Sequence, residues 1–146
     1  MTGSFSSTAS QANVKHARLA LEEAIMGPSK ADLDAAPLLS LWQPILMGRD
    51  VCLAGAVKGH PLLSAQYITT SPLIALGPML DWARTFSRFY TLNQYLPHVL
   101  TGGLAIDGRQ IEVVDVYGWP ALDLTQVQSY LSTLAELIRA TTTLDG

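Results

Sequence analysis

Between Trp82 and Tyr90 the chain reads Trp-Ala-Arg-Thr-Phe-Ser-Arg-Phe-Tyr, a stretch in which rings and guanidinium groups recur at every second residue. Side chains alternate between the two faces of a β-strand. A strand here would therefore array Trp82, Arg84, Phe86, Arg88 and Tyr90 on one face, and Ala83, Thr85, Ser87 and Phe89 on the other. A guanidinium held between aromatic rings gains about 0.5–2 kcal/mol per contact and keeps its N–H donors available for phosphate or carboxylate. Such a strip could grip single-stranded nucleic acid, with arginines on phosphates and rings under bases. The same residues also suit a core strand, its rings under a helix and each Arg reaching an acid such as Glu112, Asp115 or Glu136. The formal net charge of −3 favours this second use, because no other basic cluster supports a nucleic-acid path.

Other reactive side chains are scattered. His60 lies in Gly59-His60-Pro61, a turn, where it should be exposed and free to titrate. With His16 and His98 it makes no HxH or HExxH spacing, so no metal site is expected. Cys52, the single cysteine, sits between Val51 and Leu53 and reads as a buried structural thiol. The carboxylate pairs Glu22/Glu23 and Asp32/Asp34 fall near helix ends, where caps and helix dipoles account for them. There is no nucleophile-elbow, phosphate-loop or dinucleotide-binding pattern. A non-enzymatic protein without a cofactor is the expectation. Trp119, in Gly118-Trp119-Pro120, with nearby Tyr117 and Leu122, offers the aromatic composition usual at protein-interface hot spots.

The elements that must position these residues form an α+β pattern. Residues 1–12 are Ser/Thr-rich and read as a flexible N-terminus, followed by a single domain over 13–146. From Asn13 a helical period places Val14, Ala17, Leu21, Ala24 and Ile25 on one face, ending at Gly27-Pro28. Ser29 and Asp32 form a capping-box pattern. Helical turns are expected around Leu38–Trp42, with an extended segment after Pro44. Asp50 to Lys58 alternates as a strand, its Gly55 marking a bulge or a close neighbour. Tyr67 to Leu76 reads as a second strand kinked at Pro72, and the Trp82 stretch as a third, giving an antiparallel meander. Asn93 to Leu100 reads as a connector. Asp107-Gly108 between alternating apolar runs predicts a two-residue hairpin. Asp123 with Gln126 caps a C-terminal helix whose Leu124, Val127, Leu131, Leu134 and Ile138 form a seam. That seam should pack on the sheet; a homodimer contact is its alternative use. The expected fold is an antiparallel sheet of about four to five strands packed by N- and C-terminal helices.

Hydrophobic residues make up 49% of the chain, charged residues 14%, and the mean hydropathy is +0.25. Soluble domains usually carry about 25% charged residues. Some apolar surface is therefore expected to meet a partner. Charge is unevenly spread: Lys58, Arg84 and Arg88 make the middle mildly basic, and six acids against two arginines make residues 101–146 acidic. The first residues lack the basic and apolar regions of a signal peptide, and no apolar run approaches the ~20 residues of a membrane span. A cytoplasmic location without membrane contact is expected.

Leu41-Trp42-Gln43-Pro44, Cys52-Leu53-Ala54-Gly55, Gly59-His60-Pro61-Leu62, Thr70-Ser71-Pro72-Leu73 and the Trp82–Tyr90 stretch together resemble a family of small uncharacterised bacterial proteins with a Gly-His-Pro turn and a Trp-x-Arg-Thr-x-Ser-Arg-x-Tyr segment. The resemblance covers residues 41–92 and implies that the turn and the aromatic segment belong to one structural unit; it carries no activity. The expected function is a small protein-interaction module docking on another protein or complex as an inhibitor or regulator, for example a phage-encoded anti-defence protein. Binding of single-stranded nucleic acid or a phosphate ligand along Trp82–Tyr90 is the alternative.

Overall fold

The computed structural model describes residues 8–60, 67–101, 105–106, 109–110 and 117–145. Helix α1 (Thr8–Met26) begins ahead of the Asn13 cap expected from the pattern. It ends where Gly27, at φ +84°, donates its N–H to Glu23 O at 3.0 Å, a conformation glycine adopts at little cost. Leu21 and Ala24 are buried as expected and Ala20 is buried beside them, whereas Ile25, placed on the same face as Leu21 and Ala24, is exposed. Helix α2 (Lys30–Ala35) carries the full capping box: Ser29 Oγ accepts from Asp32 N at 3.0 Å, and Ser29 N donates to Asp32 Oδ2 at 2.9 Å.

Strand β1 (Leu38–Met47) replaces the helical turns expected around Leu38–Trp42. Leu, Trp and Gln are compatible with either state, and tertiary pairing on both edges decided for strand. β1 pairs antiparallel with β2 (Asp50–Lys58) and, over Leu38–Trp42, parallel with β6 (Phe89–Tyr95). Pro44 sits in this central strand because its carbonyl faces residues 120–122 instead of β2, accepting from Leu122 N at 3.0 Å. A strand residue's N–H and C=O point the same way, so proline's missing donor takes nothing from the β2 ladder. Gly48-Arg49 joins β1 to β2, with Gly48 at φ +63° as a type II′ hairpin requires at its first central position.

The expected second strand is two, β3 (Tyr67–Thr69) and β4 (Leu73–Leu76), split at Pro72. They lie at opposite ends of a six-stranded sheet of order β3-β2-β1-β6-β5-β4, where β5 is Trp82–Thr85. A flat sheet would separate its outer strands by about 24 Å, yet the short link through residues 70–72 spans at most ~14 Å. The sheet therefore curls onto itself. Thr70 N donates to Leu53 O at 2.8 Å on one side of the link, and Phe86 N donates to Pro72 O at 2.7 Å on the other. Among the described residues the sheet is mixed, with one parallel pair, and has six strands; this corrects the expected antiparallel sheet of four to five. The meander survives over β4, β5 and β6, which pair antiparallel in succession.

Leu39, Leu53, Leu73, Ala83, Tyr90 and Leu92 fill the concave side. The expected connector after Asn93 is instead the end of β6 followed by a short helix, α3 (Leu96–Thr101). The Asp-Gly hairpin appears as a separate ribbon, β7 (Ala105–Ile106) against β8 (Arg109–Gln110); its turn and the flanking residues 111–116 lie outside the described residues. Helix α4 (Leu124–Asp145) is capped by Asp123 and Gln126, each side chain accepting from the other's backbone N–H. Its seam is used within the chain: Val127 joins the sheet core, while Ile138 and Leu134 pack with Ala20, Leu21 and Ile74 between α1 and β4.

Candidate functional site

The Trp82–Tyr90 stretch is a hairpin, which corrects the single strand expected from its alternation. Thr85 to Arg88 form the turn: Thr85 N donates to Arg88 O at 2.9 Å, and Thr85 Oγ1 accepts from Ser87 N and Arg88 N, both at 3.3 Å. A threonine side chain replaces the Gly or Asn that usually announces a turn. The register pairs Arg84 with Phe89 and Ala83 with Tyr90, so Trp82, Arg84 and Phe89 share the outer face and Tyr90 points into the core. Trp82 meets Phe89 edge-on at 5.7 Å and lies over Gly77, where a Cβ would stand 2.5 Å from the indole nitrogen.

Arg84 is only 8% exposed. Its guanidinium sits 5.2 Å above the Phe89 ring centroid, and Nη2 lies 3.4 Å from Glu23 Oε1 on α1. The acid found beside Arg84 is Glu23; of the acids expected from the C-terminal third, Glu112 and Asp115 lie outside the described residues. Arg84 Nε is buried without a hydrogen-bond partner among the described residues. Burial pulls its pKa down, opposed by Glu23 and Asp32. Phe86 is half-buried and stacked with His16 at 4.3 Å, and His16 Nε2 is 2.8 Å from Phe86 O. Arg88 is half-buried and stands in no ion pair among the described residues.

His60 is half-buried beside Tyr90, its ring centroid 6.2 Å away, which corrects the freely exposed turn histidine. Burial and then the charge of Arg88 lower its pKa. The structure brings His60, Tyr90 and Arg88 into one neighbourhood, with Arg84 and Trp82 on the opposite face of the sheet. Burial also raises the Tyr90 phenol. Cys52 is buried beside Ile45 and Ala54 on the outer face of β2, its thiol pushed up to about 11 by burial and then by Asp50.

Exposed aromatic side chains lie elsewhere. Tyr67 is 60% exposed and Trp119 39%. Tyr67, Tyr117, Leu41 and Leu96 line a groove of about 360 Å³, with the two tyrosine rings 6.1 Å apart and tilted. The groove is built on a backbone irregularity. Between Ser40 and Gln43 the β1–β2 register shifts, and Leu41 takes φ +51°. Across the parallel β1–β6 pair, between Ser40↔Asn93 and Trp42↔Tyr95, Gln94 takes φ +53°. Two non-glycine residues at positive φ face each other, a conformation costing about 1–3 kcal/mol each that persists only when the surroundings hold it. One holder is visible: Tyr117 Oη donates to Leu41 O at 2.6 Å. Burial raises the Tyr117 phenol, and Tyr67 adds to the shift. Trp42 and Tyr95 at 4.8 Å, and Tyr95 edge-on to His98 at 4.8 Å, continue the aromatic packing behind the groove.

Sequence reasoning named Trp119 and Tyr117 but missed Tyr67, Leu41 and Leu96. Tyr67 opens a strand-like run and carries no local mark of exposure; Leu41 lacks the glycine that would signal a positive φ.

Among the described residues no group of His, Cys, Asp and Glu could hold a metal ion, and no helix is long and apolar enough to cross a membrane. The molecule is a small α+β protein with a curled mixed sheet, helices outside it and an aromatic surface groove. The chain belongs to a family of unknown function, DUF6634, whose model matches residues 6–115. That match extends the expected kinship with an uncharacterised family beyond residues 41–92 on both sides. No curated protein and no solved structure matches the chain.

Proposed function

We propose that the protein is a non-enzymatic interaction module, of the inhibitor or regulator kind, that docks on another protein through the Tyr67–Tyr117–Trp119 surface. The observation that carries this reading is the groove lined by Tyr67, Tyr117, Leu41 and Leu96, with Tyr67 exposed and the exposed Trp119 two residues along the chain from Tyr117. Aromatic side chains offer large contact area with few rotatable bonds, and interfaces draw most of their energy from such residues. A partner's apolar side chain would fill the groove, and Tyr117, already fixed by its bond to Leu41, loses little entropy on contact. The low charge content of the chain agrees with surface that is covered in a complex.

Affinity capture from the native lysate, with light scattering of the purified protein, tests this. The wild type should retain a partner, and Tyr67→Ala with Trp119→Ala should weaken retention by at least about 30-fold, as for two hot-spot aromatics. A monomer that retains nothing, or a double variant that retains the same partner equally well, overturns the proposal.

A further inference from the structure

A second concavity, of about 310 Å³, opens between α1, α4 and the outer face of β4. Its walls are apolar, with Ile74, Phe86, Leu134 and Ile138 among them. That volume is at the lower end of the ~300–1,000 Å³ typical of small-molecule sites. Among the described residues Asp50 is the only charged one in the cavity lining, and it stands in no ion pair with another of them. Tyr130 also lines the cavity, and burial raises its phenol pKa, opposed by the Val51 backbone. The other polar lining groups, Asn13 and Thr141, are uncharged, and Thr141 Oγ1 already donates to Leu137 O at 2.8 Å.

We propose that this cavity binds a small primary amine with an apolar body about the size of one ring and a short chain, its ammonium on Asp50 and its body between Phe86 and Leu134. The charge pattern selects the ligand class. An apolar cavity whose described lining holds one unpaired carboxylate and no cation attracts an ammonium and repels a carboxylate of the same shape. Ile74 and Ile138 are core residues shared by α1, α4 and the sheet, so these walls exist before a ligand arrives. Preformed walls reduce the ordering cost of binding.

Three probes of one shape and different charge test the assignment by isothermal titration: 2-phenylethylamine, neutral 2-phenylethanol and anionic 3-phenylpropionate. The amine should bind at least about tenfold more tightly than the alcohol, as for one charge-assisted hydrogen bond, and the carboxylate more weakly than both. Asp50 is exposed, so Asp50→Asn should fold as the wild type does. In that variant the amine's advantage over the alcohol should vanish while the alcohol's own affinity stays. Failure of all three probes at millimolar concentration, binding of the carboxylate as tight as the amine, or an amine preference that survives Asp50→Asn each overturns the proposal.

Discussion

Replacing Gly55 by alanine puts the close approach of β1 to β2 under direct test. Gly55 lies in β2 beside the irregularity in β1, and a Cβ built on it would stand 2.9 Å from Ser40 O, 3.0 Å from Leu39 Cγ and 3.1 Å from Leu39 Cδ1. Ser40 O is backbone, so it moves only if β1 and β2 separate. Leu39 is fully buried, and close-packed interiors leave a side chain little room to shift. Overpacking of this kind costs about 1–3 kcal/mol. Against it stands the ordinary gain of replacing glycine by alanine, about 0.4–1 kcal/mol through the unfolded chain. The net expectation is a loss of about 1–2 kcal/mol, or roughly 2–8 °C in Tm for a domain of this size. Urea and thermal unfolding followed by circular dichroism would measure it, with Gly48→Ala as the contrast. Gly48 has nothing within 4 Å of a built Cβ, so its cost is the left-handed φ alone. A Gly55→Ala protein as stable as the wild type, or more so, would refute the close approach of β1 to β2.

Two further predictions concern buried polar chemistry. Folding holds the Cys52 thiol at about 11 against an ordinary 9.0, so the unfolded chain gives up this proton first as pH rises. Stability should therefore fall between those values, by up to about 3 kcal/mol at ~1.4 kcal/mol per pH unit, and a Cys52→Ala variant should show a shallower decline in urea unfolding across that window. Equal slopes would exclude the thiol as the cause. For Arg84, Glu23 is more than half exposed, so the ion pair contributes under about 1 kcal/mol, while the unpartnered Nε costs about 1–3 kcal/mol. Arg84→Met should thus leave stability unchanged or raised, and Glu23→Gln should lower it by less than about 1 kcal/mol in the same assay. A loss above about 3 kcal/mol in Arg84→Met would show that the pair is needed for folding.

Much of the local structure was legible because the signals that define it are short-range. The Ser29–Asp32 and Asp123–Gln126 caps each depend on residues three apart, and both are made. Gly27 ends α1, and Val51 and Leu53 alternate against Cys52 and Ala54 across β2. The seam of α4 packs where its periodicity directed it. Misread stretches share a different cause. Leu38–Trp42 is a strand because β2 and β6 flank it, and neither partner is visible in five local residues. Thr85–Arg88 turns on a threonine hydroxyl, a weaker mark than glycine or asparagine. That single turn moved Tyr90 to the core and placed Phe89 opposite Arg84, dissolving the expected aromatic–arginine strip.

The sequence by itself determined the class, the C-terminus of α1, the caps of α2 and α4, the pairing of Ala105–Ile106 with Arg109–Gln110 and the burial of Cys52, since periodicity, caps and turn chemistry act within a few residues. Only the tertiary structure decided the sheet order, the Glu23 partner of Arg84 and the groove between Tyr67 and Tyr117. Each of these joins residues far apart in the chain. Their meeting follows from the sheet curling until β3 and β4 share one short link, a closure that depends on the summed twist and pairing of six strands.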